Sequence, residues 1–233
     1  MKKKLYKIFS ELGSLDGFLY LLGDPFRRLK INSIGIIKYY VFIQPVQDSI
    51  LSNKRGKNIE IKVIDKDSSL RCDFPRPSAV IDWRYESGSV CIAAYNKQKF
   101  AAYLWLSQNM YEEDEVRCDY FLYPKGKVYW DYDVYVEPKY RIGSTFPKLW
   151  DFANTYIKEN GGVATMSRVS AFNSMSLRSH KRLGAQSLGS QTFFVFGSVQ
   201  IMFSTFKPFI HLGVNEASRV KIRLDCPSEV LRK

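Results

Sequence analysis

Four β-rich runs follow one another between residues 89 and 137: SVCIAAYN, FAAYLWLSQ, VRCDYFLYP and KVYWDYDVYVE. They are dense in aromatic and β-branched residues and separated by short polar or turn-like segments, which predicts a meander of antiparallel strands. A helix must follow, because Leu149, Phe152, Ala153, Tyr156 and Ile157 fall on one helical face and Asn160-Gly161-Gly162 supplies a stop. Pro147 is tolerable only in the first turn, where its missing N–H breaks no ladder bond, so the helix is expected from about Pro147 to Glu159. GVATMSRVSA then reads as a strand, NSMSLRSHKRLG as a short helix with Asn173 as N-cap and Gly184 as its end, and TFFVFG and VQIMFSTF as two further strands. The expected fold class is α/β (α+β): a mixed, mainly antiparallel central sheet flanked by helices.

The segment before this block reads differently. Residues 3 to 22 place Leu5, Ile8, Phe9, Leu12, Leu15, Phe18, Leu19 and Leu22 at helical spacing, interrupted by Gly13 and Gly17, so one or two amphipathic helices are expected before a break at Asp24-Pro25. The lysine-rich start of this segment can lie on a membrane surface, although packing on the main domain is favoured. IIKYYVFIQPV and KNIEIKVID are expected strands, with the polar QDSILSNKRGKN between them. RCDFPRPSAVIDWRYESG is expected to be irregular, its two prolines breaking any helix. The organisation expected is an N-terminal extension over residues 1–60 and one domain over 61–233, packed as one unit.

Composition excludes several classes. The net charge of +12 is uneven: +6 over residues 1–60, −3 over 61–138 and +9 over 139–233. An anionic partner suits such a C-terminal part, whether nucleic acid, a membrane surface or a phosphorylated small molecule. Nucleic acid is disfavoured by the absence of an aromatic-basic stripe or a helix-turn-helix pattern. INSIGIIKYYVFI is too short and too polar to span a bilayer, which needs about 20 helical residues. MKKKLYKIFSELGSL lacks the apolar region and cleavage site of a signal peptide, so a cytoplasmic location is expected. Four dispersed cysteines without CxxC, beside two histidines, suggest neither a zinc site nor a disulfide scaffold. The acidic EEDE at 112–115 is expected to be a solvated loop, since a metal site needs better-spaced ligands.

The stretch VEPKYRIGSTFPKLWDFA, a strand entering a helix through a basic turn, carries the functional signal together with the helix NSMSLRSHKRLG. Val136, Pro138, Tyr140 and Arg141, followed by Ser144 and Phe146, resemble the V-x-P-x-Y-R-x-x-G-x-G/A motif of the acetyl-CoA-dependent N-acetyltransferase (GNAT) superfamily. Ser144 and Phe146 stand at its two glycine positions. Asn173, Ser176, His180 and Gly184 have the spacing of that family's N-x-x-A/S-x-x-x-Y-x-x-x-G, with histidine replacing tyrosine. The resemblance covers about residues 89–205.

It implies an N-acyltransferase that uses acetyl-CoA or another acyl-CoA as co-substrate, with no permanently bound cofactor and no metal. Arg141, Ile142, Gly143, Ser144, Thr145 and Phe146 would form the pyrophosphate turn, where a helix N-terminus offers unpaired N–H groups. Backbone groups at Val134, Tyr135 and Val136 would pair with the pantetheine arm as an added strand does. Asn173 and Ser176 would hold another part of the cofactor. His180 would protonate the departing thiolate, and Asp133 or Asp131, expected on one strand face by period two, would accept the amine proton. The acceptor is expected to be a primary amine, with an amino sugar of surface polysaccharide synthesis favoured and a homodimer compatible. The rival readings are a non-catalytic binder of nucleic acid or anionic lipid on the same fold, and an acyltransferase with a long-chain or aminoacyl-tRNA donor.

Overall fold

The computed structural model describes residues 2–29, 33–48 and 57–232; most of the expected polar connection QDSILSNKRGKN lies outside them. In chain order the elements are α1 (Lys2–Leu12), α2 (Ser14–Arg28), β1 (Ile34–Pro45), β2 (Ile59–Ile64), α3 (Ser78–Glu86), β3 (Val90–Asn96), β4 (Lys99–Gln108), β5 (Met110–Glu112), β6 (Cys118–Tyr123) and β7 (Val128–Val136). They continue with α4 (Thr145–Glu159), β8 (Ala164–Ser170), α5 (Ser174–Arg182), β9 (Gln186–Phe196), β10 (Val199–Ser204), β11 (Ile210–Gly213), β12 (Val220–Asp225) and α6 (Ser228–Leu231). This is a mixed α/β fold whose large sheet is mostly antiparallel and flanked by helices, as expected. Two compact units divide it: Met1–Gln44 with Tyr111–Phe121 and Ser167–Leu224, and Pro45–Met110 with Leu122–Met166 and Asp225–Lys233. Within the first unit β1 pairs antiparallel with β9 from Ile34↔Phe196 to Ile43↔Gln186.

In the second unit β2, β3, β4 and β7 pair antiparallel in that order, and β7 pairs in parallel with the start of β8, from Val128↔Ala164 to Trp130↔Met166. The sequence reading of a four-strand meander fails at its third run. β4 pairs directly with β7, whereas β6 joins a three-stranded sheet of order β12-β6-β5. The burial patterns give the reason. β4 is buried at every position from Phe100 to Ser107 and needs cover on both faces, but β6 alternates strictly and needs cover on one.

That double cover comes from two helical segments. α4 lies across β2, β3, β4 and β7, burying Leu149, Trp150, Ala153 and Ile157, of which Leu149 and Ile157 each contribute roughly 1.5–3 kcal/mol relative to exposure. On the opposite face Phe74 and Ile81 pack with Cys91, Ala93, Tyr95, Phe100, Tyr103 and Trp105. Ile81 belongs to α3, a helix the two prolines were expected to forbid. Pro77 occupies its N-cap position and Ser78 begins it, so neither ring removes an internal hydrogen bond. Pro25 likewise fails to stop α2, which runs on to Arg28, supported by an Arg28–Asp24 ion pair at 2.7 Å.

Turn chemistry agrees with the sequence where left-handed backbone is needed: Gly13 (φ +80°) separates α1 from α2, and Gly161 (φ +77°) follows α4. Gly162 is constrained by space instead, because an added Cβ would lie 2.6 Å from Ile157 Cγ2 and 2.7 Å from the Tyr129 ring. Replacing Gly162 by Ala is therefore expected to cost about 1–3 kcal/mol through overpacking, read as a drop of roughly 3–10 °C in melting temperature.

Candidate active site

β7 gains one residue against β4. Trp105 lies opposite Tyr132 and Tyr103 opposite Tyr135, so Asp133 and Val134 together face Leu104 alone. This is a β-bulge, and Asp133 takes φ +43° within it. The bulge overturns the expectation that Asp131 and Asp133 share a face. Asp131 is buried opposite Leu106, while Asp133 turns to the aromatic face that carries Tyr103 and Trp105.

There its carboxylate accepts hydrogen bonds from Arg84 Nη1 (2.6 Å), Tyr103 Oη (2.8 Å), Arg76 Nε (3.1 Å) and Arg76 Nη2 (2.5 Å). Burial works to raise its pKa, but the Arg84 charge and these donors outweigh it, and the group is held below the ordinary carboxylate value. Asp133 is thus a weak base and a strong structural anchor. Arg84, itself buried, adds contacts to the rings of Trp105 and Tyr132 with its guanidinium carbon 5.2 and 5.3 Å from their centroids. Arg84 and Arg76 lie far from Asp133 in sequence, and no local spacing announced them.

Past the bulge, Tyr132–Val136 are only partly buried, in contrast to Val128–Asp131. Val136 leads through Pro138–Tyr140, one turn of 3-10 helix, into the turn before α4. Arg141 Nε donates back to the Val136 carbonyl at 3.0 Å, and Ile142 at the tip is 97% exposed. Gly143 has φ +132° with open space around it. Ser144 is the N-cap of α4 and makes no side-chain capping hydrogen bond; Thr145 behind it is buried, and Phe146 packs edge-on against Trp150 at 6.3 Å. The helix starts two residues before Pro147, which sits in its first turn as expected. A helix N-terminus with an uncapped first turn, reached through Lys139 and Arg141, suits an anion.

The remaining candidates belong to the first unit. Asn173 caps α5 by accepting the Ser176 N–H at 3.0 Å, so that N–H is already committed. His180, two turns on, stacks against Phe42 with ring centroids 5.9 Å apart and planes 16° from parallel. Burial lowers its pKa below the ordinary histidine value, so the ring is neutral at pH 7. A neutral imidazole accepts a proton readily, whereas the expected role of donor would need the imidazolium.

The same unit holds a cluster the sequence reading missed. The EEDE segment is no solvated loop: the Glu113 side chain is fully buried and receives two hydrogen bonds from Arg168, Nε at 2.9 Å and Nη2 at 2.5 Å. Asp114 and Glu115 lie 3.5 and 3.6 Å from the same guanidinium, which sits 4.4 Å over the Tyr39 ring, and Tyr39 donates its hydroxyl to Glu115. Burial raises the pKa of Glu113 against the pull of Arg168. The run of acids invited a loop reading because the arginines that meet it, Arg168 and Arg219, lie more than fifty residues away in sequence.

No family model matches the chain, and no curated protein does. Among solved structures, a functionally unknown conserved protein from Staphylococcus epidermidis superposes with a TM-score of 0.51 at 12% identity, covering 75% of this chain and 66% of that one. A tandem GNAT protein from the clavulanic acid biosynthesis pathway gives 0.48 at 8% identity, covering 72% of this chain and 54% of that one. An aminoglycoside acetyltransferase from an uncultured soil metagenomic sample gives 0.40 at 12% identity, covering 55% and 88%. The chain spans just under two thirds of the first structure and about half of the second. The first speaks to the fold alone, and the two scores below 0.5 carry no weight here.

Asp133→Asn keeps a residue type that tolerates positive φ but removes the charge facing Arg84. It is expected to cost about 3–5 kcal/mol in denaturant unfolding, because a buried guanidinium loses its counter-ion. The wild type should also lose stability as pH falls through the depressed carboxylate pKa, a dependence the variant lacks. The strand, the turn and the helix stand in the expected order within a mixed α/β fold.

Proposed function

We propose that this protein is an acyl-CoA-dependent N-acyltransferase acting on a primary amine. The observation that supports this reading best is the bulged strand β7 leading into the uncapped N-terminus of α4. In an antiparallel strand the N–H and C=O groups of successive residues point alternately to its two edges. Val134, Tyr135 and Val136 thereby offer backbone groups to the amides of a pantetheine arm on the edge away from β4. The turn of Arg141, Ile142, Gly143, Ser144, Thr145 and Phe146 receives the pyrophosphate, with Thr145 and Phe146 contributing first-turn N–H groups and Arg141 a positive charge. The non-glycine residues at 144 and 146 leave less room than the family's glycines, and Pro147 supplies no donor.

The reaction is a direct transfer. The amine nitrogen attacks the thioester carbonyl carbon, the C–S bond breaks, and the thiolate leaves with its electron pair. Backbone N–H groups polarise the carbonyl oxygen. His180, neutral at working pH, takes the proton from the amine, and water reprotonates the thiolate. Asp133 is assigned to holding the bulge, and Asp131, buried, to the strand's packing. Asn173 and Ser176 shape the start of α5, with the Ser176 hydroxyl and the Asn173 amide available to the co-substrate. An amino sugar is the acceptor class to be tried first.

Two measurements test this reading. Acetyl-CoA should raise the melting temperature, and Ser144→Asp should separate helix capping from anion binding. Aspartate is a good N-cap and holds or raises the stability of the free protein, while its charge weakens CoA binding by roughly ten-fold or more. An ordinary helix start would show the first effect without the second. For His180, kcat/KM should climb with pH through an apparent pKa below 6.5, as protonated imidazole is lost, and stay level at neutral pH. His180→Ala should remove that limb and lower kcat with CoA affinity unchanged; an unaltered profile would exclude the role.

A further inference from the structure

Helix α2 is turned the unusual way round. Its inner face buries Asp16, which takes Lys38 Nζ at 2.6 Å and the Tyr40 hydroxyl at 2.7 Å, together with Gly17 and Leu19. Its outer face carries Leu15, Phe18 and Leu22, which are 63%, 57% and 48% exposed and spaced three and four residues apart on one stripe. An ion pair inside and leucine outside is the reverse of a helix made only to cover a core.

The sheet below continues the pattern. Lys38 lies opposite Thr192, Thr192 opposite Phe203 and Phe203 opposite Ile210, so these side chains form a row on one face of β1, β9, β10 and β11. α2 covers the Lys38 end of that row through Asp16. At the other end Phe203 and Ile210 are exposed, as are Phe196 and Leu212 on the same face. The opposite face of these strands is closed, with Gln191 bonded to Tyr120 and Gln200 to the Arg117 backbone of the small sheet's flank. The outer stripe of α2 and the bare strands therefore look to the same side of this unit. An apolar area built from this many large side chains marks a docking surface.

We infer that this face binds an anionic lipid surface. The choice between a membrane and a second copy rests on charge. The neighbouring helix α1 packs against α2 through Phe9 at Gly17 and exposes Lys2, Lys3 and Lys7, along with Tyr6; Lys207 is exposed three residues before Ile210. Basic residues bordering exposed aromatic and aliphatic ones match an interfacial element on acidic headgroups. An isologous dimer through the same face would set these lysines against their own copies, which costs rather than stabilises. The inference stands apart from the acyl-transfer reading: it concerns where the protein sits, whatever it acylates.

The experiment is co-sedimentation of the full chain with vesicles of phosphatidylcholine plus phosphatidylglycerol and, separately, of phosphatidylcholine alone. Binding should favour the anionic vesicles by at least roughly ten-fold and weaken with added salt. Leu15→Ser, Phe18→Ser and Leu22→Ser together should abolish it with the circular dichroism and melting temperature retained, since these side chains point outward; Phe18→Ser alone serves if the triple variant does not fold. Lys2, Lys3 and Lys7 changed to Glu should reverse the preference for anionic vesicles. No binding, equal binding to both vesicle types, or binding indifferent to the stripe overturns the inference. So does a dimer in light scattering that the stripe substitutions dissociate, which would identify a second copy as the occupant.

Discussion

Asp133 sits at a positive φ inside a strand, and four hydrogen bonds from Arg84, Arg76 and Tyr103 hold its carboxylate there. Positive φ is costly for an L-residue other than glycine, and a strand residue adopts it only when its surroundings over-determine it. The extra residue lets Tyr132 and Asp133 both serve the aromatic face while Tyr135 returns to register opposite Tyr103. It also ties α3, through Arg84, to β7, and so closes the layer over Trp105 and Tyr103. Beyond that clamp β7 stays paired with β4 as far as Val136, where the chain turns toward α4.

In the first unit Arg168 has a comparable part. Its guanidinium binds Glu113 through two nitrogens, lies near Asp114 and Glu115 and rests on the Tyr39 ring, so three neighbouring acids are drawn onto strands β1 and β8. Burial works to lower the pKa of Arg168, but Glu113 and its hydrogen bonds raise it further, which keeps the cation charged in a place where a lysine would be less secure. The two clamps show a shared arrangement: an arginine removed from most solvent, paired with a carboxylate and resting on an aromatic ring. Such pairs are weak sources of net stability, yet the loss of either member leaves an unpaired buried charge.

Local signals were legible wherever a residue's own backbone preference decided the outcome. Pro147 placed the start of α4 within two residues, Asn173 capped α5 through the Ser176 N–H, and Gly13 and Gly161 adopted the left-handed backbone that only glycine takes cheaply. The signals failed where a partner distant in sequence decided. VRCDYFLYP had the composition of a strand, and it is one, but which sheet it joined depended on which faces other segments could cover. Pro25 and Pro77 looked alike as breakers. One fell within a helix with an Arg28–Asp24 pair beside it, and the other at an N-cap, where a missing N–H costs nothing.

The candidate site divides along the same line. The turn residues 141–146 and the positions 173, 176 and 180 were named through a resemblance to family motifs; what their neighbours alone decide is the strand-to-helix junction before α4 and the cap and register of α5. The roles of the two aspartates could not, because a one-residue bulge sends Asp133 to the face opposite Asp131, and the arginines that anchor it come from residues 76 and 84. His180 was picked out by its place in the motif on α5, but its stacking on Phe42 and the burial that lowers its pKa belong to the tertiary structure. Sequence alone thus determined which groups are present and how the nearest ones line up. Tertiary structure decided which are paired, charged or covered, because those properties depend on the charges and apolar surfaces that distant parts of the chain bring together.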